Sequence, residues 1–146
     1  MRYSIKQVAA KTGLSAYTLR FYDKAGLLPF VARDASGYRA FTEGDLLLLK
    51  TICCLKDTGM AIADIRQYIN LVMAGPKTAK QRATMLQQHR ETVVAKQKAL
   101  AENLHEIDYK LAIYAAPDAE NLVAQEWAAA SADKQANALS NPFHAR

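Results

Sequence analysis

The sequence predicts a mainly α-helical protein, with a winged helix-turn-helix head followed by one long dimerising coiled-coil helix. Three observations predict it. Two short amphipathic segments meet at a glycine turn around Gly13, a basic hairpin pattern follows them, and from Lys77 to Ala116 neither glycine nor proline occurs while apolar residues keep one seam.

The elements follow in order. Ser4 is a good N-cap before Ile5, Val8 and Ala9, an apolar stripe at i, i+3, i+4 that Gly13 ends. Ser15 caps a second helix from Ala16 to about Lys24, with Leu19 inward and Gly26 as the stop. In "PFVARDASGYRAF" the β-formers flank Asp34-Ala35-Ser36-Gly37, which is turn chemistry, so a two-stranded hairpin forms with Arg33 and Arg39 near its arms. Thr42 and Asp45 make a capping box with Asp in place of Glu or Gln, and a third helix runs from Glu43 to Thr58 with Leu48, Ile52 and Leu55 inward. Gly59 closes it. A fourth helix, Ala61 to Met73, turns Ile62, Ile65, Ile69 and Val72 inward and stops at Gly75-Pro76.

Beyond Pro76 the apolar seam reads Leu86, Val93, Leu100, Leu104, Ile107, Leu111, Tyr114, with spacings 7, 7, 4, 3, 4, 3. A helix of roughly 60 Å at 1.5 Å per residue has no body of its own to pack on, so it needs a partner helix. The organisation is thus a head over residues 1–75, a dimerisation helix over 76–116 and an alanine-rich tail over 117–146, helical to about Asn137.

Bulk properties narrow the class. A chain of 146 residues holds one small domain plus an extended element. No apolar run approaches a membrane span, and the opening MRYSIKQVAA lacks the apolar core of a signal peptide, so a cytoplasmic location is expected. The net charge is +5, and residues 1–50 carry eight Lys/Arg against four Asp/Glu, so the excess sits at the head and suits a nucleic-acid partner. Adjacent Cys53 and Cys54 make no disulfide framework and read as free thiols.

A helix-turn-helix lays its second helix in the major groove while neighbouring donors hold phosphates. That helix offers Ser15, Tyr17, Thr18, Arg20 and Tyr22, and the hairpin adds Tyr38 and Arg39. Arg20 suits charge-assisted bonds to phosphate, Tyr22 offers a hydroxyl with its ring on the sugar-phosphate surface, and Phe21, without a donor, is expected in the core. No nucleophile-base pair, phosphate loop or metal triad is visible, so an enzyme is not expected.

These residues carry a resemblance. "YSIKQVAAKTGLSAYTLRFYDKAGLL", "GYRAFTEGDL" and "LKDTGMAIADI" are similar, in order, to three successive signatures of the MerR family of bacterial transcription regulators, over Met1 to about Tyr114. The resemblance implies a homodimer held by an antiparallel coiled coil, sitting on promoter DNA with RNA polymerase and distorting the DNA to realign its polymerase elements. Carried over, the DNA contacts are Ser15, Tyr17, Thr18, Arg20, Tyr22, Tyr38, Arg39 and Lys56.

The resemblance also bears on sensing. Metal-sensing members place a cysteine at the start of the long helix, where this sequence has Lys77 and Thr78, and none of His89, His105 and His144 has a sulfur or second histidine at ligand spacing, so neither metal nor cofactor is expected. Thirty tail residues are too few for the large ligand domain of the multidrug-binding members. Helical geometry does not choose between Cys53 and Cys54, which both have lysines within a turn and Asp57 opposing. The aldehyde- and thiol-stress subgroup, which this sequence resembles most, carries its reactive cysteine at the first position of "CLKDTG". That implies Cys54 as the sensor thiol and Cys53 as second choice. The alternatives are a regulator of an unidentified small ligand and an architectural DNA-bending protein with structural cysteines.

Overall fold

The structure is a computed structural model that describes residues 1–144; the last two residues of the 117–146 tail lie outside the described residues. Helix α1 spans Ile5–Thr12 and α2 Ala16–Lys24; strands β1 (Ala32–Arg33) and β2 (Arg39–Ala40) form the wing; α3 (Glu43–Asp57) and α4 (Ile62–Met73) complete the head. A 3-10 turn at Pro76–Thr78 leads into α5 (Ala79–Ala115), and α6 covers Ala119–Ala136. None of the described helices is long and apolar enough to cross a membrane.

Local chemistry sets these boundaries. Ser4 accepts the Gln7 amide at 3.2 Å while the Gln7 side chain accepts the Ser4 amide at 2.8 Å, a reciprocal box that starts α1; Gly13, at φ 74°, ends it. Thr42 and Asp45 form the same box at α3, with Asp45 reaching back to the Thr42 amide at 2.9 Å. In the wing, Asp34 accepts the Ser36 and Tyr38 amides on one carboxylate oxygen, at 2.9 and 3.0 Å, and Gly37 takes φ 82° to close the turn. The strands pair antiparallel with Ala32 opposite Ala40 and Arg33 opposite Arg39. Phe41 then exchanges both backbone bonds with Tyr3, tying the wing's exit to the N-terminus.

The core of the head closes around Val8, Leu19, Phe41, Leu49, Ile52, Ile65 and Ile69, all fully buried. On α3 the inward stripe is Leu49, Ile52 and Leu55; Leu48, expected inward, is half-buried, because Leu49 at i−3 from Ile52 lies closer to the centre of the face. Ile65, Tyr68 and Ile69 are buried on α4, with Ile62 and Val72 half-buried at its ends.

Compactness divides the chain inside α5. One unit runs from Met1 to Val93 and the other begins at Val94, so the first turns of α5 belong with the head. Two polar clamps hold them there. Arg82 donates to the Gly75 carbonyl at 2.8 Å and to the Thr78 hydroxyl at 2.9 Å, placing a cation at the C-terminal end of α4. His89, two turns further on the same face, meets the Thr58 hydroxyl at the C-cap of α3. Between them Met85 and Leu86 pack on the head's core. Leu86, expected in the dimer seam, thus lies against its own head. In the second unit α5 and α6 are bridged by Lys110 and Glu126 at 3.7 Å, and Trp127 meets Phe143 edge-on.

Candidate nucleic-acid interface

Helix α2 begins with its cap built into the site. Ser15 Oγ accepts the Thr18 amide at 3.0 Å and lies 2.9 Å from the Thr18 hydroxyl, so both candidate contact residues are oriented by each other. From that start, Tyr17 is 79% exposed and Arg20 stands exposed one turn later. Among the described residues no carboxylate pairs with Arg20. Its charge is open to solvent, as a phosphate contact requires.

The two aromatics of α2 exchange their expected places. Tyr22 is 5% exposed and Phe21 is 47% exposed, so the ring expected on the sugar-phosphate surface is in the core and the ring expected in the core faces outward. Helical phase is the reason. Tyr22 lies at i+3 from buried Leu19, whereas Phe21 lies at i+4 from Tyr17 and joins the exposed face. Burial pushes the Tyr22 phenol up first, and the neighbouring Cys53 and Asp57 of α3 add to it.

The wing is also engaged inwardly. Arg39 Nε donates to Asp23 Oδ2 at 2.7 Å and its Nη2 closes on the same oxygen. Arg33 Nη2 stands 3.7 Å from that oxygen, while its Nη1 donates to the Gly37 carbonyl at 2.8 Å. Arg39, expected as a free DNA contact, is therefore first an internal partner of α2. Tyr38 at the tip is 73% exposed, and Lys56 is exposed near the end of α3. Asp23 and Phe21 were not among the expected site residues. Phe21 could have been found from the helical phase; Asp23 had no local signal, since its partner is sixteen positions away.

The two cysteines differ in setting. Cys53 is half-buried, and burial, followed by the Asp57 carboxylate, holds its thiol above the ordinary range. Cys54 is exposed. Its carbonyl accepts the Thr58 hydroxyl at 2.7 Å, in the turn that His89 meets from α5. Beside that turn, Met60, Asp64, Leu71, Met85 and His89 line a cleft of about 730 Å³.

On α5 none of the residues is buried, and Leu100, Leu104, Ile107, Leu111 and Tyr114 are all more than half exposed. Val93 is half-buried, at the end of the first compact unit. The uncovered seam runs from Leu100 to Tyr114.

Comparisons with known proteins match the head and the part of α5 up to residue 109. Residues 3–71 match the MerR HTH family regulatory protein model, and residues 46–109 match the MerR DNA-binding model. An HTH-type transcriptional regulator of Haemophilus influenzae is 42% identical over 114 residues, covering 78% of this chain and 84% of that protein. The HTH-type transcriptional regulator AdhR of Bacillus subtilis is 35% identical over 91 residues, covering 62% of this chain and 65% of AdhR. Among solved structures, HiNmlR, a MerR family regulator lacking the sensor domain and bound to promoter DNA, superposes with a TM-score of 0.73 at 42% identity, covering 78% of this chain and 90% of that one.

Proposed function

Because this chain belongs to the MerR family of helix-turn-helix, DNA-binding transcription regulators, we propose that it works as a homodimer that grips promoter DNA, distorts it, and answers electrophiles such as aldehydes, or thiol oxidation, through Cys54. In this reading residues 1–75 hold DNA, residues 76–116 supply the dimer helix, and residues 117–146 form the tail. RNA polymerase is the partner that reads the distortion. Distorting a duplex costs several kcal/mol by elastic estimates of about 1–6 kcal/mol, so both heads of a dimer must hold their flanks. The exposed seam from Leu100 to Tyr114 supports that pairing, since apolar side chains at heptad spacing favour a partner helix.

The observation that carries the sensing reading is the position of exposed Cys54 at the last turn of α3, one hydrogen bond from the residue that α5 holds. Alkylation or oxidation there would displace the Thr58 turn, and through His89 the dimer helix, changing the angle between two heads on DNA. Kinship with AdhR and HiNmlR supports this choice of subgroup.

In vitro transcription from a cognate promoter, with and without an aldehyde or diamide, tests it. Wild type should respond and Cys54→Ala should not; a full response in Cys54→Ala would remove the thiol sensor and leave the DNA-binding role intact. The cleft beside Met60 and His89 favours a second reading, in which a small ligand is the effector, since its volume falls in the range of small-molecule sites. In that case Cys54→Ala would respond and a bulky substitution at Leu71 would not.

A further inference from the structure

Asp23 stands where the two DNA-facing elements of the head meet. It is the second-last residue of α2, its side chain is 25% exposed, and one of its oxygens receives Arg39 through both Nε and Nη2 while Arg33 approaches from across the strand pair. Arg33 and Arg39 are register partners, so a single carboxylate draws in the arginine of each wing strand. Arg33 is further turned back on its own hairpin by its bond to the Gly37 carbonyl.

Two physical consequences follow. A guanidinium that spends its donor fork on a carboxylate is neutralised at short range and adds little to the attraction of phosphates. The Asp23 bond also fixes the hairpin against α2, and with it the distance from Tyr38 at the wing tip to Tyr17 and Arg20 on the recognition helix. Partly exposed ion pairs contribute little to folding as such, so the main effect of this one is on geometry and field.

We infer that Asp23 is a positioning and specificity-determining residue, which withholds the wing arginines from sequence-independent phosphate contact and sets the spacing between wing and recognition helix, so that tight binding requires a duplex of matching shape. The inference rests on the DNA-gripping head described above and assigns a role to a residue outside the expected DNA contacts. It makes Arg39 a brace for the wing rather than a free phosphate clamp.

The test uses the full-length protein. Duplexes are enriched from a randomised pool by the wild type, and affinities for an enriched duplex and a random one are measured against salt concentration for wild type, Asp23→Asn, Asp23→Glu and Arg39→Gln. Asp23→Asn releases Arg39, while Arg33 keeps its bond to the Gly37 carbonyl: binding to the random duplex should tighten several-fold, its salt slope should steepen by about one contact per head, and the preference for the enriched duplex should fall about tenfold. Asp23→Glu, which keeps the carboxylate, should retain most of the preference. Arg39→Gln should lose preference while leaving the random-duplex salt slope unchanged, because that charge was already paired.

An Arg39→Gln protein whose salt slope drops by about one, together with an Asp23→Asn protein that behaves as wild type, would make Arg39 an ordinary phosphate contact and overturn the inference. Equal weakening on both duplexes, matched by a loss of folded protein in circular dichroism, would reduce the pair to a structural one and also overturn it. A wild type that binds neither duplex would overturn the DNA grip itself, and the inference with it.

Discussion

The Thr58 hydroxyl and His89 Nε2 lie 2.7 Å apart, joining the C-cap of α3 to the first unit's stretch of α5. The same hydroxyl lies 2.7 Å from the Cys54 carbonyl, which has no proton to give. The hydroxyl hydrogen is therefore directed back to its own helix, where the Leu55 carbonyl also lies 3.2 Å away, and the His89 tautomer protonated at Nε2 completes the contact as the donor. His89→Leu removes that donor. It should lower the unfolding free energy by about 0.5–1.5 kcal/mol and speed amide exchange at Gly59 and Met60, with His89→Gln recovering part of both. Denaturant unfolding and hydrogen exchange are the readouts, and wild-type exchange at these amides in His89→Leu would show that the contact holds nothing.

Thiol labelling separates the cysteines. Burial and Asp57 raise the Cys53 thiol, so at neutral pH it holds less thiolate than an ordinary cysteine and titrates at higher pH. The neutral thiol is the form the fold favours. This contribution to stability is complete below the unfolded-state thiol value and is lost as pH rises through the higher folded value. Iodoacetamide at neutral pH should label Cys54 ahead of Cys53, and Asp57→Asn, which removes the second cause of the shift, should speed labelling at Cys53. Peptide mass spectrometry over time reads both rates; faster labelling of Cys53 in the wild type would reverse the assignment.

Tyr22 and Phe21 give opposite expectations. Truncating the buried ring, Tyr22→Ala, should cost about 3–5 kcal/mol of stability, whereas Phe21→Ala should cost far less because Phe21 is 47% exposed. Tyr22→Phe keeps the ring and should bind DNA within a few-fold of wild type. A large loss of affinity in folded Tyr22→Phe would put its hydroxyl on the DNA after all.

The exposed apolar seam of α5 is open to a charge test. Leu104 and Leu111 are exposed on α5 at a spacing of seven, so Leu104→Lys with Leu111→Lys places like charges on one seam position of a pairing helix. Analytical ultracentrifugation should find wild-type dimers and double-variant monomers with unchanged helicity. A monomeric wild type would remove the coiled-coil reading and favour an architectural DNA-bending head.

Much of the head was legible because its boundaries are written in short-range chemistry. Ser4, Ser15 and Thr42 start helices α1, α2 and α3 by bonds to residues three positions on, and Asp34 shapes the wing within four. The exchange of Phe21 and Tyr22 was equally legible, since Leu19 and Tyr22 share a face at i, i+3. The sequence by itself determined the order of elements, their caps, the exposed polar face of α2 and the apolar seam along α5. Only the tertiary structure decided which charges are spoken for. Asp23 meets Arg39 across sixteen positions, Thr58 meets His89 across thirty-one, and Leu86 turns to the head's core instead of the seam. Such pairings depend on where packed elements bring distant side chains, and no local periodicity encodes a meeting between two helices or between a helix and a hairpin.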